Sequence, residues 1–273
     1  MEIDDLGLHI VPTELVTPHE REDPRRVERL SASLRKEGWL KNPPLVVAHD
    51  GRYVLLDGTT RTKALASLGY PHTLVQVVDP ARVRVSTWNH LVIGLPIEAF
   101  WEQLQALEPL ALRRLDGASL AQSQHRWAGG LYLADERAYS IELPPDAPVE
   151  EEIDLLNRLV ALYTGEREIR RSLKSNPHEL MFEHPDLTGI LSFPQYTVHD
   201  IVQFGLAEFC VPPGITRCII PGRVLRVNLD LSLLNSEVLT LEQKNARLRE
   251  YIHARITRQP LRYYEEPIYI LED

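Results

Sequence analysis

The 273-residue chain is poor in sulfur and in positive charge: it has 2 cysteines, 2 methionines, and 30 Lys plus Arg against 39 Asp plus Glu, a formal charge of −9. Cys210 and Cys218 cannot build a disulfide framework or a four-thiolate zinc site, and they read as ordinary thiols of a reducing compartment. The acidic balance argues against a nucleic-acid partner, because neutralising a phosphate backbone takes clustered Lys and Arg. No run approaches the roughly 18 uninterrupted apolar residues of a membrane span. The start, Met1-Glu2-Ile3-Asp4-Asp5, has neither the basic flank nor the apolar core of a signal peptide, so a cytoplasmic location is expected. Also missing are the GxxxxGK[ST] phosphate loop, GxGxxG, the GxSxG elbow and the HExxH or HxxxH spacings of zinc sites, although there are 10 histidines. No metal-ligating set is legible, and any nucleotide must be held without the common cradles.

What remains is an ordinary globular composition, 44% hydrophobic and 25% charged, which excludes wholesale disorder. Against roughly 100–200 residues per domain, the length allows one large domain or two modest ones. Residues 8–15 give a short strand that runs into the polar loop Thr17-Pro18-His19-Glu20. A helix follows with Asp23 as N-cap, Pro24 at its first position and Gly38 just past its end, burying Val27, Leu30 and Leu34. Strands at 44–48 and 52–56 flank Asp50-Gly51, a strong hairpin signal. A second helix starts around Thr59–Arg61 and ends at Gly69, and strands follow at 73–78 and 82–88. Beyond residue 95 we expect helices at 96–107, 116–126, 149–163, 177–183, 197–205 and 239–258, with β-prone stretches at 131–143 and 215–229 before a closing segment, 260–270. The expected class is α+β, with residues 1–92 as one domain and 93–273 as a second, mixed α/β domain.

The most informative motif is Asp57-Gly58-Thr59-Thr60-Arg61, where a strand ends and a helix begins. Gly58 permits a tight turn, Thr59 or Thr60 can cap the helix, and the free N–H groups with Arg61 suit phosphate oxygens. A plain capped helix with a surface arginine explains the same residues. Glu20, in its loop, is either a general base or a solvated carboxylate. Trp88 and His90 offer an aromatic wall with a polar neighbour, or else simple core residues. Pro213-Gly214 fits a type II turn, and Thr216 with Arg217 just beyond could supply a hydroxyl and a cation to a polyanion. The basic cluster from Arg21 to Lys41 is diluted by Glu22, Asp23, Glu28 and Glu37, as on a solvated helix face.

From Leu8 to Asp79 the chain resembles the ParB/sulfiredoxin fold. The likeness rests on the Ile10-Val11-Pro12 start, the loop Glu20, the helix Arg29-Leu30-x-x-Ser33-Leu34, Gly38-x-Leu40-x-x-Pro43, and Asp57-Gly58-x-x-Arg61 before Ala64-Leu65. Within that superfamily it resembles the free L-serine kinases more than the DNA-partitioning proteins. The kinases share the Pro-Gly-x-Thr-Arg element, here Pro213–Arg217, and residues equivalent to Trp88 and His90. It departs from many relatives in carrying Thr59 and Thr60 where they have histidines, and Cys218 stands where a histidine would be unsurprising.

The resemblance implies a phosphotransferase with an alcohol acceptor (EC 2.7.1.-) that converts free L-serine and ATP or ADP, with Mg²⁺, into O-phospho-L-serine. It implies Glu20 as base and Asp57 as the residue that orients the hydroxyl or holds the metal. Gly58, Thr59, Thr60, Arg61, Thr216 and Arg217 would meet the nucleotide, and Trp88 and His90 would shape the amino-acid pocket. The competing expectation is a ParB-like, nucleotide-dependent DNA-binding regulator.

Overall fold

The protein is described as a computed structural model over residues 6–108, 110–115, 126–164 and 169–258. In chain order the first third holds β1 (Leu8–Pro12), β2 (Val16–Thr17), α1 (Pro24–Glu37), β3 (Trp39–Leu40), β4 (Leu45–His49), β5 (Arg52–Asp57), α2 (Thr59–Ser67), β6 (His72–Val77) and β7 (Arg84–Thr87). The middle holds β8 (Asn89–Ile93), α3 (Ile97–Gln105), β9 (Ala111–Arg114), β10 (Arg126–Leu133), β11 (Ala138–Leu143) and α4 (Val149–Thr164). The last part holds β12 (Arg170–Ser172), α5 (Pro177–Glu183), β13 (Leu187–Ser192), α6 (Val198–Leu206), β14 (Thr216–Ile219), β15 (Leu229–Asp230), α7 (Leu231–Asn235) and α8 (Leu241–Arg258).

Local chemistry accounts for the clearest boundaries. The Asp23 carboxylate accepts from the Arg25 N–H at 2.9 Å and opens α1. Gly38, at φ 74°, closes it by donating to Leu34 O. Asp50 and Gly51, at φ 45° and 79°, form the two-residue turn that lets His49 pair with Arg52.

Two larger sheets result. The first has the order β1-β6-β4-β5-β2, mixed parallel and antiparallel; the second has the order β12-β8-β13-β10-β11-β9 and is antiparallel throughout. On one face of the first sheet, Leu34, Ala64 and Leu65 of α1 and α2 meet Leu234, Leu248 and Ile252 of α7 and α8. The chain from 227 to 252 therefore returns to the N-terminal sheet. Against the same sheet α6 lays Ile201 and Val202 over Val47, Val54 and Leu56. That approach is close enough to need glycine: a Cβ on Gly205 would lie 2.5 Å from a Val54 methyl. The second sheet packs Leu131, Leu133, Ile141 and Leu191 against Phe100 and Leu104 of α3 and Ile153, Leu156 and Leu159 of α4.

Three expectations meet a different structure or none. Residues 215–229 are not one β run: strands occupy only 216–219 and 229–230, because Pro221-Gly222 and the positive φ of Arg226 and Asn228 break the ladder between them. The helix expected over 116–126 falls outside the described residues except for its last residue, which opens β10. The closing segment 260–270 also lies outside them.

Candidate active site

Two distant segments of the chain meet at Glu20. Its backbone forms a parallel bridge with Val211, flanked by Arg21 N–H to Val211 O and Val211 N–H to His19 O, both at 2.9 Å. Pro213-Gly214 then turns the chain, with Gly214 at φ 76°, and delivers Thr216 into β14, which pairs with β7. Gly214 N–H donates to Glu20 Oε1 at 2.9 Å, and Thr216 Oγ1 is hydrogen-bonded to Oε2 at 2.9 Å. Burial raises the Glu20 carboxyl above the usual carboxylate range, opposed by those two hydrogen bonds and by the charges of Arg171 and Arg26.

His19 sits behind this carboxylate, 2% exposed. Its Nδ1 donates to Leu55 O at 2.6 Å, and its Nε2 lies 2.8 Å from Thr216 Oγ1. Burial pulls its pKa down to about 4. Leu55 belongs to β5, two residues before Asp57, so the histidine ties the base candidate to the strand that feeds the phosphate-type turn. A Lys63–Glu22 ion pair at 3.8 Å makes a second tie between that loop and α2.

At the turn itself Gly58, not Thr59 or Thr60, is the N-cap of α2, with φ 104° and no side-chain cap bond. The first helical N–H with a backbone partner is that of Thr62, on Gly58 O at 3.0 Å. The N–H groups of Thr59, Thr60 and Arg61 thus point out of the uncapped helix end, with the positive end of its dipole. The Arg61 guanidinium is turned to the protein: Nη1 donates to Asn42 O at 3.0 Å and Pro43 O at 2.9 Å, and Nη2 lies 3.3 Å from Asp57 Oδ2. Burial lowers its pKa to about 10. Asp57 Oδ2 also pairs with Arg223, which arrives on the loop after β14. Gln76 pins that loop by donating to Gly222 O and accepting from Val224 N–H, both at 2.9 Å.

Trp88 lies between β7 and β8 with two guanidiniums on its ring, those of Arg171 at 5.5 Å and Arg217 at 5.4 Å. His90 is fully buried: Nε2 donates to Gly214 O at 2.8 Å and Nδ1 accepts from Tyr163 at 2.7 Å. Both ring nitrogens are used, so its link to the site runs through Gly214, whose N–H holds Glu20. The same holds for Thr216, expected to meet a polyanion: its buried hydroxyl is taken by Glu20 and His19. Among the described residues no group of three or more His, Cys, Asp or Glu is placed to hold a metal ion, and no helix is long and apolar enough to cross a membrane.

No protein-family model matches the chain. The ATP-dependent L-serine kinase SbnI of Staphylococcus aureus is 25% identical to it over 267 residues, covering 97% of each chain. An ATP-dependent L-serine kinase of Staphylothermus marinus is 29% identical over 89 residues, 31% of this chain and 35% of that one. Among solved structures, a C-terminally truncated SbnI from S. aureus superposes with a TM-score of 0.74 at 22% identity, covering 94% of this chain and all (100%) of that one. A free serine kinase in complex with AMP superposes with a TM-score of 0.69 at 16% identity, covering 84% and 94%. The likeness to these structures establishes a shared mixed α/β fold.

Sequence reading singled out Glu20, the Asp57–Arg61 turn, Trp88 and the Pro213–Arg217 element. It missed His19, Arg171 and Arg223 as parts of the same neighbourhood. Only His19 carried a usable signal, its place beside Glu20. The arginines come from a three-residue edge strand and from a loop that reads as strand.

Proposed function

We propose that this protein phosphorylates the hydroxyl of free L-serine with ATP or ADP to give O-phospho-L-serine. The observation that carries the reading is the fixed carboxylate of Glu20. One oxygen is held by a backbone N–H and the other by a buried hydroxyl, on a loop tied to the strand that leads into an open helix N-terminus. Similarity to a serine kinase along 97% of the chain supports it. We further assign residues 1–92 to a ParB/sulfiredoxin-like domain and 93–273 to a second domain that closes the site, from which α7 and α8 return to pack on the sheet of the first.

Phosphoryl transfer requires little of the protein beyond positioning and charge neutralisation. Glu20 accepts the proton of the serine hydroxyl, and the charges of Arg171 and Arg26 favour its ionised form against the cost of burial. The N–H groups of Gly58, Thr59, Thr60 and Arg61 receive the transferred phosphate at the positive end of α2. Arg61 and Arg223 hold Asp57 in place. Trp88 forms a wall of the amino-acid pocket, and Arg217 and Arg171 beside it offer cations to the serine carboxylate and the nucleotide. His90 acts one step back, by fixing Gly214.

A nucleotide-borne Mg²⁺ fits these residues. Such an ion would bind through one or two carboxylates, phosphates and water, and Asp57, 41% exposed, would offer it the oxygen that Arg61 and Arg223 do not take. When bound it would neutralise phosphate charge.

The test is mass-spectrometric detection of O-phosphoserine from serine with ATP or ADP and Mg²⁺, for the wild type and Glu20→Gln. Glutamine keeps an acceptor for Gly214 N–H and a donor for Thr216, so the variant should fold while turnover drops at least about 100-fold, the low end of what a general base contributes. Full turnover by the folded variant would remove Glu20 as the base. No phosphoserine from the wild type with either nucleotide would remove the kinase reading.

A further inference from the structure

We propose that Glu20, Thr216 and His19 form one proton-holding unit, in which the Thr216 hydroxyl passes protons between the Glu20 carboxylate and the His19 ring. The proposal rests on Glu20 being the base for the serine hydroxyl, and it adds where that proton goes.

Proton counting leads to it. A carbonyl oxygen only accepts, so the 2.6 Å bond to Leu55 O fixes a proton on His19 Nδ1. Thr216 has one hydroxyl proton, yet its Oγ1 faces two groups, Nε2 at 2.8 Å and Glu20 Oε2 at 2.9 Å. With a neutral ring and an ionised carboxylate, both neighbours are acceptors and one of the two contacts is left without a proton. One added proton completes both bonds, and it does so in two ways. Either Glu20 donates to Thr216, which donates to His19, or His19 Nε2–H donates to Thr216, which donates to Glu20. The two states differ by a concerted shift of two protons, and in the second Glu20 is again an ionised base.

The step balances. As the serine O–H bond breaks, its proton passes to Glu20 and its electron pair forms the new bond to phosphorus. The bond from phosphorus to the rest of the nucleotide breaks, and that electron pair leaves with ADP or AMP. Glu20 passes a proton to Thr216 Oγ1, and the original Thr216 proton passes to Nε2. The unit ends with an ionised Glu20 and a charged His19, and it loses the extra proton by the reverse route. Thr216 and His19 are positioning residues here, since neither touches the substrate.

The groups that face the unit leave this one exchange in the working range. Arg26 of α1 and Arg171 of β12 act on Glu20 as fixed positive charges. The Cys218 thiol of β14 is pushed up to about 12, chiefly by burial, and burial also raises Cys210. The carboxyl and the ring share the one Thr216 hydroxyl, so a proton gained by either completes the same pair of hydrogen bonds.

Two measurements test this. Thr216→Val keeps the shape and removes the hydroxyl; Thr216→Ser keeps the hydroxyl. Valine should lower kcat about tenfold or more with the serine KM within about twofold. It should also move the acid limb of the pH profile upward, because Glu20 loses a donor that favours its ionised form; serine should restore both. Independently, the ¹⁵N shifts of the His19 ring in the wild type should titrate together with that limb, and Glu20→Gln should abolish the transition. A His19 ring that stays unchanged across the limb, or a valine variant with wild-type kcat and limb, overturns the proposal. If the wild type made no phosphoserine, the kinase reading would fail, while the ring transition of the wild type compared with Glu20→Gln, which needs no turnover, would still decide whether the ring and the carboxyl share a proton.

Discussion

His90 influences the site without facing it. Its neutral ring spans Tyr163 and Gly214 O, and burial, reinforced by Arg171 and opposed by the Gly214 bond, holds its pKa at about 4 against an ordinary 6.5. The folded value is the depressed one, so as pH falls the unfolded chain takes up the proton first. Stability from this group is complete above about pH 6.5 and is lost as pH falls through about 4, by about 3 kcal/mol in total. His90→Phe should cost about 1–3 kcal/mol at pH 7, because Gly214 O and the Tyr163 hydroxyl lose their partner. It should also flatten the decline between pH 6.5 and 4. Denaturant titrations across that range check both effects. An unchanged slope would mean that the proton is taken up elsewhere.

On the proposed function, the start of α2 is the element on which anion binding depends. Gly58 is needed there twice over. Its φ of 104° is costly for any other residue, and an added Cβ would stand 2.9 Å from Pro44 Cα and 3.2 Å from the Arg61 guanidinium carbon. Gly58→Ala should destabilise the protein by about 1–2 kcal/mol and weaken nucleotide binding at least about tenfold. Thermal melts and calorimetry with ADP read the two effects separately. This element was legible from its residues because strand end, glycine and helix start are adjacent in the chain, as are Asp23-Pro24, Gly38 and Asp50-Gly51 at their own boundaries. The orientation of Arg61 was not legible, since Asn42 and Pro43, which capture it, lie on a preceding loop. Residues 221–228 misread for a related reason. Leu225, Val227 and Leu229 alternate like a strand, but Gln76, Asn42 and Lys41 hold the backbone before Leu229 as a loop. The roles of His19 and Thr216 depend on a contact across 197 positions, which no local pattern reveals.

At the scale of the molecule, the C-terminal helix α8 completes the first sheet. β1 is the edge strand, and Asn245 satisfies it by accepting from Ile10 N–H at 2.9 Å and donating to Ile10 O at 2.8 Å, while Leu248 and Ile252 fill the core beneath. Asn245→Ala should lower stability by about 1–3 kcal/mol and leave the serine KM within about twofold, since the edge lies on the far side of the sheet order from β5. Denaturation curves and steady-state kinetics test the pair of outcomes. A large rise in KM with unchanged stability would instead tie α8 to the serine pocket.

The contact between Glu20 and the 211–216 segment closes a loop of 196 residues. During synthesis the segment up to residue 216 must leave the ribosome before the Glu20 carboxylate can meet its two donors. On the proposed function, shorter nascent fragments lack a fixed base, and the geometry of the site depends on the long-range fold and not on the loop that carries Glu20.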